Sequence, residues 1–221
     1  MKKFSVIIPA YNEEKYIEKT LISVKNQSYK DVEIIVVCNG CTDNTRKISL
    51  NYADKILQIN ERNVSKARNI GADRANGEIL IFLDADTLLG RDILKSISES
   101  IETRNVFGTC KLKPEDNEVN HVLYVYVKNI FNDYLRWSSG LIFCRRDGFY
   151  SVGGFDENKK TKGEIRDFLK KLSKVSRYRC VNSSFVITSQ RRIKKWGIVS
   201  SGLYWIKEII KSSKEEYPAI R

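Results

Sequence analysis

The sequence predicts an α/β domain: a mostly parallel central sheet flanked by helices, a mixed second half, and an amphipathic helix towards the C-terminal end. Three observations predict it. Over the first hundred residues, short β-branched runs at 4–8, 32–37 and 79–83 alternate with stretches of helical spacing. The runs at 32–37 and 79–83 are almost entirely apolar, as in strands covered on both faces by crossover helices. Each of the three runs is followed by a polar turn, and open sheets of this kind bind ligands outside the carboxyl ends of their parallel strands.

Taken in order, Pro9 closes the first strand, and Ile17, Leu21, Ile22 and Val24 then recur at helical spacing. After the strand at 32–37, Asn39-Gly40 turns the chain and Thr42-Asp43 can cap a helix running to about residue 52. A short strand is expected at 56–59, a helix at 65–75, the buried strand at 79–83, and a helix at 91–101 that returns along the sheet. Two crossovers in this span imply a parallel, doubly wound half. The second half reads as strand at 105–112, helix at 119–137, strand at 140–144, helix at 162–175 and strand at 185–187. On the helix at 119–137, Val119, Leu123, Tyr126, Ile130 and Phe131 share the face expected to pack. A last helix at 198–212 puts Val199, Leu203, Ile206 and Ile210 on one stripe, with Lys207, Glu208 and Lys211 opposite.

With 221 residues, 42% of them hydrophobic and 30% charged, the chain can bury a sizeable core, which excludes disordered and collagen-like classes. No apolar run approaches the ~20 residues that span a bilayer, and the apolar start at 4–10 is too short for a signal peptide, so a cytoplasmic protein is expected. Five scattered cysteines read as reduced thiols, and Cys38 and Cys41 lack the second pair that a zinc ribbon needs. The formal charge of +12 is unevenly placed: residues 1–158 are neutral, whereas residues 159–214 carry a net +13. The division expected is a domain over 1–190 and a basic amphipathic segment over 191–221, where Arg191, Arg192, Lys194 and Lys195 precede Tyr204 and Trp205. Such a segment suits the surface of an anionic membrane, making the protein peripheral on its cytoplasmic face; packing of the stripe on the sheet is the other reading. No nucleic-acid recognition motif accompanies the charge, and no nucleic-acid partner is expected.

The chemistry is sought at the strand ends: Tyr11-Asn12-Glu13, Asn39-Gly40-Cys41-Thr42-Asp43 and Asp84-Ala85-Asp86. Two carboxylates one residue apart at the mouth of a buried strand can offer oxygen ligands to Mg²⁺ or Mn²⁺, whose shell is completed by substrate phosphates and water. Neither glycine-rich nucleotide motif, G-x-G-x-x-G or G-x-x-x-x-G-K-[ST], occurs. The single histidine, His121, lies on a helix and reads as structural.

Four segments taken together, S-V-I-I-P-A-Y-N-E-E (5–14), N-G-C-T-D (39–43), A-R-N-I-G-A-D-R-A-N-G-E-I-L-I-F-L-D-A-D-T (67–87) and G-G-F-D-E (153–157), resemble the family 2 glycosyltransferases of the GT-A fold over residues 4–190. The resemblance implies an inverting transfer from a nucleotide-diphosphate sugar, assisted by Mn²⁺ or Mg²⁺, to a polyprenyl-phosphate or glycan acceptor. It implies that Pro9, Tyr11 and Glu13 line the nucleoside pocket, that Asn39 faces the base, that Arg68 approaches the diphosphate, that Asp84 meets the ribose or metal, and that Asp86 meets the metal. Two departures stand out. Asn39 replaces an acidic residue and both donates and accepts, which leaves the base open. In Gly163-Glu164-Ile165-Arg166-Asp167, Ile165 stands where the family carries its general base, so Glu164 and Asp167 are the candidate carboxylates. An anionic phosphate acceptor, which needs no base, is an equal reading. The alternative function is an impaired homologue that binds nucleotide sugar or a partner without transfer.

Overall fold

The computed structural model describes residues 3–101, 106–135, 138–159, 163–189 and, beyond these, 191, 193–195, 197 and 200. The first half forms β1 (Phe4–Ala10), α1 (Ile17–Lys25), β2 (Val32–Asn39), α2 (Thr45–Ser49), β3 (Lys55–Ile59), α3 (Val64–Asp73) and β4 (Ile79–Leu83). It continues through β5 (Thr87–Leu89), α4 (Ile93–Ile101), β6 (Val106–Leu112), α5 (Val119–Leu135), β7 (Leu141–Arg145), α6 (Arg146–Ser151), α7 (Glu164–Leu172) and β8 (Arg177–Thr188). The eight strands make one sheet in the order β3-β2-β1-β4-β7-β6-β8-β5. β1, β2, β3 and β4 pair in parallel, as the crossovers require. β7 runs antiparallel to β4, which makes the second half mixed.

Alternation along the central strands divides the core between the two faces of the sheet. Val6 and Ile8 of β1 with Ile79, Ile81 and Leu83 of β4 face α1 and α4, burying Ile17, Leu21, Ile93 and Ile97. Ile7, Leu80 and Phe82 face the other way, towards α3 and α7. α3 approaches closely because residue 71 is glycine: a Cβ there would stand 2.4 Å from Ile7 Cγ2. Phe82 collects Phe149, Phe155 and Phe168, with Phe155 and Phe168 stacked at 4.0 Å, and this aromatic group seats α7 beneath the end of β4.

The structure corrects the expectation for α5. Val119, Leu123, Tyr126 and Ile130 lie outward, from 41% exposed for Ile130 to 81% for Val119, while His121 and Val125 are buried. Polar anchors decide the face. β7 meets β6 at Gly108 alone, so the Leu112 amide and carbonyl on that side have no strand partner. Asn129 supplies one, accepting from Leu112 N at 2.8 Å and donating to Leu112 O at 3.0 Å, and Nδ1 of His121 meets Asp116 Oδ1 at 2.5 Å. The Phe131 side chain and the last helix at 198–212 lie outside the described residues. β8 is longer than the sequence indicates, and β5 and α6 are additional to it.

Glu33 on β2 is a buried carboxylate that ties the parallel half together. It accepts from Ser5 Oγ at 2.5 Å, from the Asn76 backbone amide, and from Lys55 Nζ at 3.1 Å. Burial alone would raise its pKa, but these three donors outweigh it and hold the carboxyl below its ordinary value. The sign follows: Glu33 contributes stability above the ordinary glutamate pKa and loses it as pH falls through the lower, folded-state value. Glu33→Ala is expected to destabilise the domain by about 2–4 kcal/mol at neutral pH, with the gap to wild type in urea denaturation closing below about pH 4.

Candidate active site

The loops after β1 and β2 are laced to each other. Asn12 adopts a left-handed φ of 53°, and its Oδ1 accepts from Thr42 N at 2.8 Å. Thr45 Oγ1 accepts from Glu13 N at 2.8 Å, and Asp43 Oδ2 from Glu14 N at 3.1 Å. At the end of β2 the buried Asn39 uses its Oδ1 to accept from Asn63 N at 2.7 Å, while Asn63 caps α3 by accepting from Lys66 N. Arg62 lies over the Tyr11 ring at 4.7 Å, and Pro9 is buried within β1.

Asp84-Ala85-Asp86 is gripped from three sides. Gly140 O accepts from Asp84 N at 2.8 Å, Ala85 O accepts from Thr20 Oγ1 at 2.8 Å, and Asp86 O accepts from Ser189 N at 3.0 Å. Around it four carboxylates meet two guanidiniums. Arg68, 4% exposed, donates to Asp84 Oδ1 at 3.3 Å and to Glu164 Oε1 at 3.1 Å, with its face 5.1 Å from the Phe155 ring. Arg191 donates to both oxygens of Glu13 at 2.7 Å and lies 3.3 Å from Asp86 Oδ2. The carboxylates outnumber the guanidiniums by two. Burial pushes the Asp86 carboxyl up to about 7; Arg191 opposes the rise, and the nearby Asp84 and Glu13 add to it.

Of the two candidate base residues, Glu164 therefore stands in the cluster and Asp167 does not. Glu164 opens α7 directly after Gly163, whose φ of 100° suits glycine. Asp167 pairs with Lys159 in a recess of about 270 Å³ lined otherwise by Asp156, Lys170, Lys171 and Lys174. Ile165 packs on the hydrophobic core between them. Among the described residues, the one group of three His, Cys, Asp or Glu side chains with ligand atoms within 4.8 Å is Asp116, Glu118 and His121, ahead of and within the first turn of α5. Lys194 sits 3.6 Å from Asp116 there. Arg191, which the sequence places in the basic segment, instead joins the site through Glu13 and Asp86, and sequence reasoning missed that role. Its sole signal in the chain was position after β8, and the pairing of β8 with β5 is what brings it to Asp86.

A family model described as Glycosyl transferase family 2 matches residues 5–171. The chain belongs to this family. It is 33% identical over 126 residues to GalNAc(5)-diNAcBac-PP-undecaprenol beta-1,3-glucosyltransferase of Campylobacter jejuni, covering 53% of this chain and 41% of that one. It is 36% identical over 110 residues to the poly(ribitol-phosphate) beta-N-acetylglucosaminyltransferase TarS of Staphylococcus aureus, covering 46% and 19%. To the minor teichoic acid biosynthesis protein GgaA of Bacillus subtilis it is 30% identical over 200 residues, covering 80% and 45%. The chain thus spans less than half the length of these curated relatives. In structure, it matches S. aureus TarS with a TM-score of 0.69 at 22% identity over 97% of this chain and 41% of that one. It matches the mannosyltransferase PcManGT of Pyrobaculum calidifontis, in complex with GDP-Man and Mn²⁺, with a TM-score of 0.71 at 20% identity over 96% and 65%. These likenesses bear out the GT-A fold of this family 2 domain.

Arg68→Met should cost about 2–4 kcal/mol of stability in urea denaturation, because it strands Glu164 and Asp84 without a counter-charge; the cost stays below that of a fully buried triad since the Asp84 side chain is 42% exposed. Arg68→Lys should recover little of it, since one ammonium cannot fork to both carboxylates.

Proposed function

We propose that this domain transfers a sugar, with inversion, from a nucleotide-diphosphate donor to a glycan or polyprenyl-phosphate acceptor, assisted by Mn²⁺ or Mg²⁺. The observation that carries the reading is the convergence of Glu13, Asp84, Asp86 and Glu164 around the carboxyl ends of β1 and β4, more carboxylates than Arg68 and Arg191 can pair. Asp86, with Asp84 beside it, would hold that ion, whose chemistry is to spread the negative charge of the departing nucleoside diphosphate. All-oxygen carboxylate ligands suit a hard cation. Support for the donor comes from PcManGT, solved with GDP-Man and Mn²⁺, and from TarS, solved with UDP-GlcNAc.

The remaining roles belong to the chain's own side chains. Pro9, Tyr11, Glu13 and Asn39 surround the nucleoside site, Asn39 acting from its buried place at the end of β2. Arg68 holds Asp84 and Glu164 together. Glu164 is the general base: Arg68 bonds its Oε1 and so orients the carboxylate that would take the proton of an attacking hydroxyl. Asp167, paired with Lys159, stands apart from this chemistry. A second reading keeps its own observation: with Ile165 packed on the core where the family carries its base, an acceptor phosphate, already anionic, would need none. The Campylobacter relative, named for a lipid-diphosphate-linked substrate, supports an acceptor of that general kind.

The domain proper is taken as 1–190 and the basic segment as 191–221. Arg191 of that segment pairs with Glu13, and Lys194 with Glu115 and Asp116; we assign its remaining basic residues to an anionic membrane surface on the cytoplasmic side. Residues 191–221 carry eight basic and three acidic side chains, a net +5, next to a further net +7 over 159–190, and this supports the assignment. No helix among the described residues is long and apolar enough to cross a membrane.

The function is tested with a panel of nucleotide sugars, reading released nucleoside diphosphate and label transfer to glycan and polyprenyl-phosphate acceptors. On hydroxyl acceptors, Glu164→Gln is expected to lower turnover roughly 10²–10⁴-fold with donor binding intact, and Asp167→Asn to leave turnover unchanged. Full activity of Glu164→Gln on a neutral sugar would remove the base assignment, and nucleotide-sugar binding with no transfer to any acceptor would favour the impaired homologue. Full-length protein should sediment with anionic vesicles at low salt and be released as salt rises, at about 1 kcal/mol per engaged basic residue; indifference to such vesicles would remove the membrane assignment.

A further inference from the structure

Of the two arginines at the site, Arg191 comes from outside the strand-end motifs. Its guanidinium is held in two ways of unequal strength. Glu13 takes it bidentately at 2.7 Å and 2.7 Å, and the Tyr16 ring lies 4.8 Å from its Cζ. The contact with Asp86 Oδ2 is single and longer, at 3.3 Å. The backbone nearby is pinned, since Ser189 N donates to Asp86 O at 3.0 Å, so a change of partner at residue 191 requires the side chain to turn and not the segment to leave.

Asp86 therefore already has a positive neighbour. A divalent ion on the same carboxylate would face a guanidinium held within hydrogen-bonding reach, and like charges that close in a poorly solvated site exclude one another unless an anion comes between them. A diphosphate is such an anion, and an arginine forks onto phosphate oxygens as readily as onto a carboxylate. We propose that Arg191 is a built-in counter-cation for Asp86, which a divalent ion displaces when a donor diphosphate arrives to receive the guanidinium, so that metal and donor bind as a coupled pair. The inference rests on the metal-assisted reading above and adds to it an order: the donor-free enzyme disfavours the ion. The coupling is reciprocal, so the factor by which the nucleotide raises metal affinity is the factor by which the metal raises nucleotide affinity. Arg191 acts here as a positioning residue, setting when the ion can enter.

The test measures protein-bound Mn²⁺ by electron paramagnetic resonance on the full chain, without nucleotide and with UDP or GDP, subtracting the Mn²⁺–nucleotide complex found in protein-free controls. Wild type is expected to bind Mn²⁺ at least about tenfold more tightly with the nucleotide it accepts than without. Arg191→Ala is expected to bind Mn²⁺ at least about tenfold more tightly than wild type in the absence of nucleotide, and to show coupling reduced to within about threefold. Arg191→Gln, which can still hydrogen-bond Glu13 but carries no charge, should behave as Arg191→Ala does, and it serves the test where the alanine variant fails to fold. Equal nucleotide-free Mn²⁺ affinity in wild type and both variants would overturn the counter-cation while leaving the metal-assisted reading intact. Absence of bound Mn²⁺ in wild type with either nucleotide would remove the metal-assisted reading and the inference with it.

Discussion

A guanidinium almost out of reach of water must find its counter-charges inside the protein, and Arg68 is in that position. Its two carboxylates come from opposite halves of the chain, Asp84 from the end of β4 and Glu164 from the first turn of α7. Neither half forms the site alone. The constraint therefore reaches backwards into the fold: α3 must lie close enough to β1 to carry Arg68 under the sheet's edge, which Gly71 allows, and α7 must be seated so that its first turn, and not its middle, faces Asp84. The aromatic group around Phe82 does that seating from below, with Phe155 lying against both Phe168 of α7 and the face of Arg68.

The charges around this pair give the site its character. Asp84, Asp86, Glu13 and Glu164 would repel one another in a desolvated pocket, and two arginines offset half of that repulsion. Burial, with smaller contributions from Asp84 and Glu13, raises the Asp86 carboxyl despite Arg191. Under the proposal above, a cation and an anionic ligand would relieve this state together. The loops after β1 and β2 are laced through Asn12, Thr42 and Thr45, Arg68 is fixed between Asp84 and Glu164, and Arg191 is the side chain proposed to change partners.

Strand runs, crossovers and strand-end motifs were legible in the chain because each rests on local pattern: continuous apolar runs, an Asn-Gly turn, two aspartates at the mouth of a buried run. Pro9, expected to close the first strand, instead lies within β1 opposite Val37. The face of α5 was not legible. Its apolar stripe, Val119, Leu123, Tyr126 and Ile130, has the spacing of a packing face, yet it lies outward because Asn129 and His121 on the other side have fixed polar partners in Leu112 and Asp116. Spacing counts apolar residues; it does not count the unpaired backbone groups of a strand that the helix will meet.

The same division holds at the site. The chain alone determined that carboxylates gather at the ends of β1 and β4, since strand ends of a parallel sheet converge by topology. It also placed Glu164 and Asp167 on either side of Ile165 without ranking them. Only the tertiary structure decided between them, turning Glu164 to Arg68 and Asp167 to Lys159, and only the pairing of β5 with β8 carried Arg191 to Glu13 and Asp86 across a sequence separation of more than a hundred residues. The physical reason is range: hydrophobic period and turn chemistry act between near neighbours, whereas the partner of a buried charge is set by whichever distant element the sheet brings within hydrogen-bonding distance.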